Sequence, residues 1–171
     1  MTSLVVNGSP RKANTSADTP LLYFLRNELG LKGPQFGCGL AQCGVCSVLL
    51  DGEEIRSCVT PLAMAEGKEV TTLEGLPNRW ARANGQSGVK DAPLHPVQQA
   101  WIEEQTPQCG FCQSGMMIKA TELLEKTPSP TTAQIKEAFT TSGPSPRLCR
   151  CGTYTAIIDA VHRAAGIMNK G

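Results

Sequence analysis

A chain of 171 residues has room for one ordinary domain or two small ones. Its 40% hydrophobic and 18% charged residues exclude a disordered polymer, and a formal net charge of +1 excludes nucleic-acid binding by bulk electrostatics. Aromatic residues are only 5%, so neither half can build a large ring-filled core, and bound metal would explain how two small cores stay folded.

The opening Met1-Thr2-Ser3-Leu4-Val5-Val6-Asn7-Gly8 is too short an apolar run for a signal peptide and lacks a basic start. Arg11-Lys12 is not a twin-arginine signal. The expected location is therefore cytoplasmic at synthesis, where thiols stay reduced. No stretch approaches the roughly 20 apolar residues of a membrane span, so no span of its own is expected.

Leu4 to Asn7 reads as a short strand ending in a turn at Asn7-Gly8-Ser9-Pro10, with a weak return strand over residues 11–17. Thr19-Pro20 has the form of an N-cap and first helical proline. Leu21, Leu22, Leu25 and Leu29 then recur at helical spacing, with Gly30 suited to the C-terminal cap. Residues 36–46 form a glycine-punctuated loop. Ser47 to Leu50, Asp51-Gly52 and Glu53 to Arg56 predict a hairpin. Thr60-Pro61 repeats the cap-plus-proline signal for a short helix ending near Gly67, and Glu69 to Leu73 closes the half as a strand. The order is that of a small mixed sheet grasping one helix.

That half holds the first cysteine set, Cys38-x₄-Cys43-x₂-Cys46-x₁₁-Cys58, which is the plant-type [2Fe–2S] spacing. An anionic thiolate-held cluster needs donors on its sulfurs. Backbone N–H groups supply them where a chain coils tightly, which Gly37, Gly39 and Gly44 permit. A structural zinc site is the alternative, although zinc knuckles ordinarily use two Cys-x₂₋₄-Cys pairs rather than three ligands in one loop.

Residues 74–93 are rich in Gly, Asn, Arg and Pro without a period and mark a domain boundary. The expected division is a first domain over 1–76, a linker over 77–93 and a second domain over 94–171. Trp80 is the bulky apolar residue of the linker, expected to pack on its own chain or a partner. Beyond it, four helices are expected. Val97, Ala100 and Trp101 mark the first. Met116, Met117, Ala120, Leu123 and Leu124 mark the second. Thr131-x-x-Gln134 is a capping box for a third, and Ile157, Ile158, Val161, Ala164, Ala165 and Met168 line the fourth.

The second cysteine set is Cys109-x₂-Cys112-x₃₆-Cys149-x-Cys151, and no cysteine is left over. Each pair precedes a helix, where the free N–H groups and the dipole favour negative charge. Zinc is the alternative here too, and disulfides are a third reading of all eight. His95 and His162 read as solvated or capping residues and Met116-Met117 as core. No nucleophile–base pair, phosphate loop or basic tract is present, so no catalytic residue is expected.

Residues 34–62 (PQFGCGLAQCGVCSVLLDGEEIRSCVTPL), 96–117 (PVQQAWIEEQTPQCGFCQSGMM) and 148–154 (LCRCGTY) resemble the small iron–sulfur subunit of the xanthine oxidase family of molybdenum hydroxylases. Ala41-Gln42-Cys43-Gly44 and Gln98-Gln99-Ala100-Trp101 are similar to the isoquinoline 1-oxidoreductase and membrane aldehyde dehydrogenase branch. The resemblance implies an α+β fold, with a plant-ferredoxin-like β-grasp domain followed by a four-helix domain. It implies one [2Fe–2S] cluster on Cys38, Cys43, Cys46 and Cys58 and a second on Cys109, Cys112, Cys149 and Cys151. It further implies a large catalytic subunit that holds molybdopterin cytosine dinucleotide and oxidises an aldehyde or an N-heterocycle. Electrons would pass through this non-catalytic chain to a cytochrome c (haem c) or FAD subunit. Gln108 and Cys151 would approach the pterin. A haem acceptor would place the complex on the periplasmic face of the inner membrane, exported by a partner's signal. A free-standing ferredoxin-like carrier is the alternative function, and it leaves the second half unexplained. Two departures stand out. Relatives commonly have Gly-Asn before Leu-Cys-Arg-Cys, where this chain has Pro146-Arg147 at the end of a proline-stiffened run from Ser142. The linker is also long.

Overall fold

A computed structural model of the chain describes residues 2–86, 92–143 and 145–170. Part of the expected linker, 87–91, and Pro144 of the approach to Cys149 lie outside the described residues.

Five strands form one mixed sheet in the order β2-β1-β5-β3-β4. β1 (Ser3–Val6) and β2 (Ser9–Lys12) are antiparallel, with Leu4 opposite Arg11 and Val6 opposite Ser9. The turn between them is shorter than expected, because Asn7 and Gly8 both take positive φ, 52° and 80°, and reverse the chain within two residues. Ser9 and Pro10 are therefore in the return strand, which ends at Lys12. Pro10 is tolerated because β2 is an edge strand. β3 (Ser47–Leu50) and β4 (Glu53–Arg56) make the predicted hairpin, with Asp51 at φ 49° and Gly52 at φ 91°. β5 (Glu69–Thr71) pairs parallel with β1 and antiparallel with β3.

One helical segment lies across the sheet. α1 (Leu21–Tyr23) widens at once into a π-helical turn, Phe24–Glu28. Leu21, Phe24 and Leu25 pack on Leu4, Val6, Val48, Leu50 and Val70. Both expected Thr-Pro caps fail in the same way. Pro20 and Pro61 are themselves the N-caps and no side chain caps either segment. Thr19 pairs its hydroxyl with Thr15 at 2.9 Å, and Thr60 donates to the Arg56 carbonyl at 2.9 Å. The short helix after Pro61 is a 3-10 turn, Leu62–Ala65.

The apparent linker holds a helix. A 3-10 turn, Leu73–Gly75, runs into α2 (Leu76–Ala83). Leu76 is buried against Leu49 and Ile118, Trp80 stands edge-on to His95 at 5.4 Å, and Arg79 grips Glu125 with two hydrogen bonds of 2.7 and 2.8 Å. Four further helices follow: α3 (Pro96–Glu103), α4 (Gln113–Lys126), α5 (Thr132–Thr140) and α6 (Tyr154–Met168). Their core joins Trp101, Met116, Leu124, Ile135, Phe139, Ile157 and Val161. The Thr131 capping box on α5 is present as expected. His95 is a cap and not solvated. It is 1% exposed, and its Nδ1 accepts the Val97 N–H at 3.1 Å. His162 is an exposed partner of the Thr132 hydroxyl.

The two halves share a wall. β3 is buried on both faces, Val48 and Leu50 towards α1 and Leu49 towards α2 and Ile118 of α4. An unbroken apolar run is what a strand covered on both sides requires. Among the described residues no helix is long and apolar enough to cross a membrane.

Candidate iron–sulfur sites

The loop before β3 folds back on its own sulfurs. Cys38 Sγ accepts the N–H groups of Leu40, Gln42 and Cys43 at 3.4, 3.3 and 3.4 Å, and Cys43 Sγ accepts the N–H of Cys38 at 3.4 Å. This nest needs left-handed backbone at Gly39 (φ 68°), Ala41 (φ 60°) and Gly44 (φ 82°). Gly37 is required for a different reason, since a Cβ there would lie 2.7 Å from Cys43 Sγ and 2.8 Å from Val45. Ala41 is the one non-glycine residue of the three, and its conformation is held from outside. Its carbonyl accepts from Arg56 Nε at 3.2 Å and from Ser145 Oγ at 3.0 Å.

Cys46 and Cys58 form the other side of this site. They are buried together beside Leu22, where Ser57 Oγ donates to the Cys46 carbonyl at 2.6 Å and the Leu22 N–H donates to the Ser57 carbonyl at 3.0 Å. The hairpin thus delivers Cys58 to the loop. Electrostatics separate the pairs. Burial raises the Cys38 thiol, but the N–H donors of Leu40, Cys43 and Gln42 together outweigh it and bring the pKa down to about 7. Cys46 is pushed up to about 12, by burial first and then by the adjacent Cys58 sulfur, despite a backbone donor from Cys58. Positive charge from bound iron is what would hold such a crowded buried thiol ionised.

The second set lies at helix starts. Cys112 is the N-cap of α4, and Cys149 and Cys151 precede Thr153, the N-cap of α6. Cys112 and Cys149 are buried, Cys151 is half-buried and Cys109 is exposed. Gly110 (φ 81°) and Gly152 (φ 77°) turn the chain at each pair. Cys112 is pushed up to about 12 by burial and by the nearby Cys149 and Cys109 sulfurs. Burial also raises Cys149, but the Thr153 hydroxyl and N–H outweigh it and leave the thiol below its ordinary value.

A buried polar relay orients this site, and the cysteine spacing gave no sign of it. Trp101 Nε1 donates to Gln113 Oε1 at 2.8 Å. The Gln113 amide nitrogen donates to Cys112 Sγ at 3.3 Å and to Thr153 Oγ1 at 3.2 Å, and Thr153 Oγ1 lies 3.4 Å from Cys149 Sγ. The available signal was a glutamine inside an otherwise apolar helix face, directly after a cysteine. Gln108 is exposed beside Cys109, and its amide makes no hydrogen bond among the described residues.

The two sites are neighbours. They border one cavity of about 500 Å³, with Cys38 and Cys43 on one side and Cys109, Cys112 and Cys149 on the other. The Leu148 N–H donates to the Cys43 carbonyl at 3.1 Å. Gly115 of α4 lies against the loop so closely that a Cβ would come within 2.0 Å of the Gly44 carbonyl oxygen. Arg147 turns inward. It pairs with Glu54, donates to the Ala138 carbonyl at 3.1 Å and lies over the Phe139 ring.

The donor set fits an iron–sulfur group of two metals better than a single ion. The thiols approach in pairs, Cys38 with Cys43, Cys46 with Cys58 and Cys112 with Cys149. A mixed sheet with a sulfur-directed loop, followed by helices that offer cysteines at their starts, defines a class: an iron–sulfur protein built from two modules in tandem.

Known proteins narrow the class. A family model described as a 2Fe-2S iron-sulfur cluster binding domain matches residues 4–73, and one described as a [2Fe-2S] binding domain matches residues 72–162. A nicotinate dehydrogenase subunit of Pseudomonas putida is 49% identical over 168 residues, covering 98% of this chain and 96% of the relative. The alpha subunit of isoquinoline 1-oxidoreductase from Brevundimonas diminuta is 46% identical, covering 96% of this chain and 97% of the relative. The solved structure of the aldehyde oxidoreductase from Desulfovibrio gigas superposes with a TM-score of 0.84 at 35% identity. That likeness covers 99% of this chain, which spans only 17% of the larger enzyme. The chain belongs to the non-catalytic iron–sulfur subunits of the xanthine oxidase family of molybdenum hydroxylases.

Proposed function

We propose that the chain is a two-station electron relay, with one [2Fe–2S] cluster held by Cys38, Cys43, Cys46 and Cys58 and a second by Cys109, Cys112, Cys149 and Cys151. The observation that carries this reading is the convergence of three N–H donors on Cys38 Sγ, an arrangement made for an anionic sulfur. When bound, each cluster supplies reversible storage of one electron. The protein's own part is to hold the thiols, solvate their charge with N–H groups and keep the two sites back to back. Residues 1–76 would carry the first station and 94–171 the second, with 77–93 joining them.

The partner we infer is a large subunit that holds molybdopterin cytosine dinucleotide. Gln108 is exposed and Cys151 half-buried, so both are free to meet a pterin edge across an interface, and the Gln108 amide can both donate and accept. Phe36, Leu40, Phe111 and Leu148 are 49 to 67% exposed around the thiol sites, an apolar rim suited to burial against such a partner. The names of the relatives favour an N-heterocycle or an aldehyde as the substrate of the whole complex. The acceptor is a haem c or a flavin protein, and with haem c the complex would face the periplasm by way of a partner's signal.

Purification of the chain from its native source tests this directly. A large pterin-containing subunit should copurify, and the visible spectrum should add haem c or flavin bands to iron–sulfur absorption. Gln108→Ala should slow electron passage without loss of iron. A lone species of 18.2 kDa with full iron would instead mark a free ferredoxin-like carrier.

A further inference from the structure

Beneath the first thiol loop lies a buried charge cluster that ligation does not use. The Glu54 carboxylate sits between Arg56 and Arg147, and all three side chains are 1 to 2% exposed. Lys119 and Glu122 extend the cluster. Lys119 Nζ lies 2.6 Å from Glu122 Oε2, and Glu122 Oε1 accepts the Glu54 N–H at 3.0 Å. Among the described residues the buried charges are thus three positive, Arg56, Arg147 and Lys119, against two negative, Glu54 and Glu122, which leaves one positive charge in excess. Lys126, half-exposed, adds a contact to Glu122 from the rim and is itself balanced by Glu53 at 2.6 Å.

Buried charge is costly unless it is paired. The unpaired charge here faces sulfur. Arg56 stands opposite Ser47 in the β3–β4 hairpin, one residue from Cys46 on the facing strand and two residues before Cys58. It also runs under the loop that carries Cys43, with its guanidinium 3.5 Å from where a Cβ of Gly44 would stand and its Nε bonded to the Ala41 carbonyl. Glu54 and Ser47 fix its other end, with Arg56 Nη1 donating to Ser47 Oγ at 2.8 Å. A cation held in a low-dielectric site acts strongly on a neighbouring anion.

We propose that Arg56, locked in place by Glu54 and Arg147, is a positioning residue that braces loop 41–44 and sets excess positive charge beside Cys43, Cys46 and Cys58, raising the midpoint potential of the iron–sulfur group held there. The inference rests on the two-station reading. Reduction at this site adds one electron, given up by the second site, which is oxidised by one. Each added negative charge is stabilised by the fixed guanidinium.

The test is a potentiometric titration of the intact complex, followed by EPR, for wild type and three substitutions. Arg56→Gln should move the midpoint of the first site downward and that of the second site less. Arg56→Lys keeps the charge and should restore most of the wild-type value. Glu54→Gln removes a negative charge without removing the arginine and should move the first midpoint upward. Unmoved midpoints in iron-replete Arg56→Gln, an equal fall in Arg56→Lys, or a fall in Glu54→Gln would each overturn the proposal. If Arg56→Gln does not retain iron, Arg56→Lys and Glu54→Gln decide the matter between them. Wild-type protein without iron and sulfide would instead mean that the two-station reading has failed.

Discussion

Single side chains in this protein do several jobs, and His95 is a clear case. It caps α3 through an unprotonated Nδ1, and burial, aided by the charge of Arg79, holds its pKa down to about 4. A histidine whose folded pKa lies below its ordinary value stabilises the fold above the unfolded pKa, near 6.5, and that contribution is lost as the pH falls towards the folded value. The size is about 3 kcal/mol for a shift of this kind. Urea unfolding measured between these pH values should show wild type losing that much more stability on acidification than His95→Asn, whose amide oxygen can also cap. Equal slopes would show that His95 ionises without penalty. Gly37 makes a second prediction. Gly37→Ala would drive a methyl group into Cys43 Sγ, so visible absorption from the first site should fall while the second site persists.

The secondary elements explain which parts of the fold can be read locally. The β3–β4 hairpin, the α5 capping box and the apolar face of α6 are legible because each is decided by nearest neighbours: an Asp-Gly turn, a Thr-x-x-Gln pair, an i, i+3, i+4 stripe. α2 is not legible. It has only Leu76 and Ala81 buried, and it is held by Trp80 on His95 and Arg79 on Glu125, contacts made across long stretches of chain. The Thr-Pro signals mislead because each threonine hydroxyl finds a tertiary partner in place of the helix start. At α4 the decisive residue is Gly115, which lets the helix touch the Gly44 carbonyl. Gly115→Ala should cost about 1–3 kcal/mol, as overpacking of a tight core does, measured as a lower unfolding midpoint. Gln113→Leu, which leaves the Trp101 indole N–H unpaired, should cost a similar 1–3 kcal/mol, roughly. No change in either midpoint would contradict the packing described.

At the scale of the whole molecule, the cysteine spacings mark out two candidate thiol sets, and covalent order alone brings Cys38, Cys43 and Cys46 into one loop. What spacing could not reveal is how the sites meet. Arg147 and Glu54 are 93 residues apart, and the Trp101–Gln113–Thr153 relay joins three separate segments. Such groups carry no local periodicity, so only the folded chain brings them together. The departure at Arg147 becomes intelligible in that light, as one arm of a buried ion pair that fastens the second thiol segment to β4.

Spin quantitation by EPR on dithionite-reduced protein, with iron and sulfide measured on the same sample, decides whether the chain carries two redox stations. About four irons per chain and two distinct diiron signals are expected. Cys43→Ser should abolish one signal and Cys112→Ser the other. A single signal at half that iron content, or zinc in place of iron at either thiol set, would contradict the two-station relay.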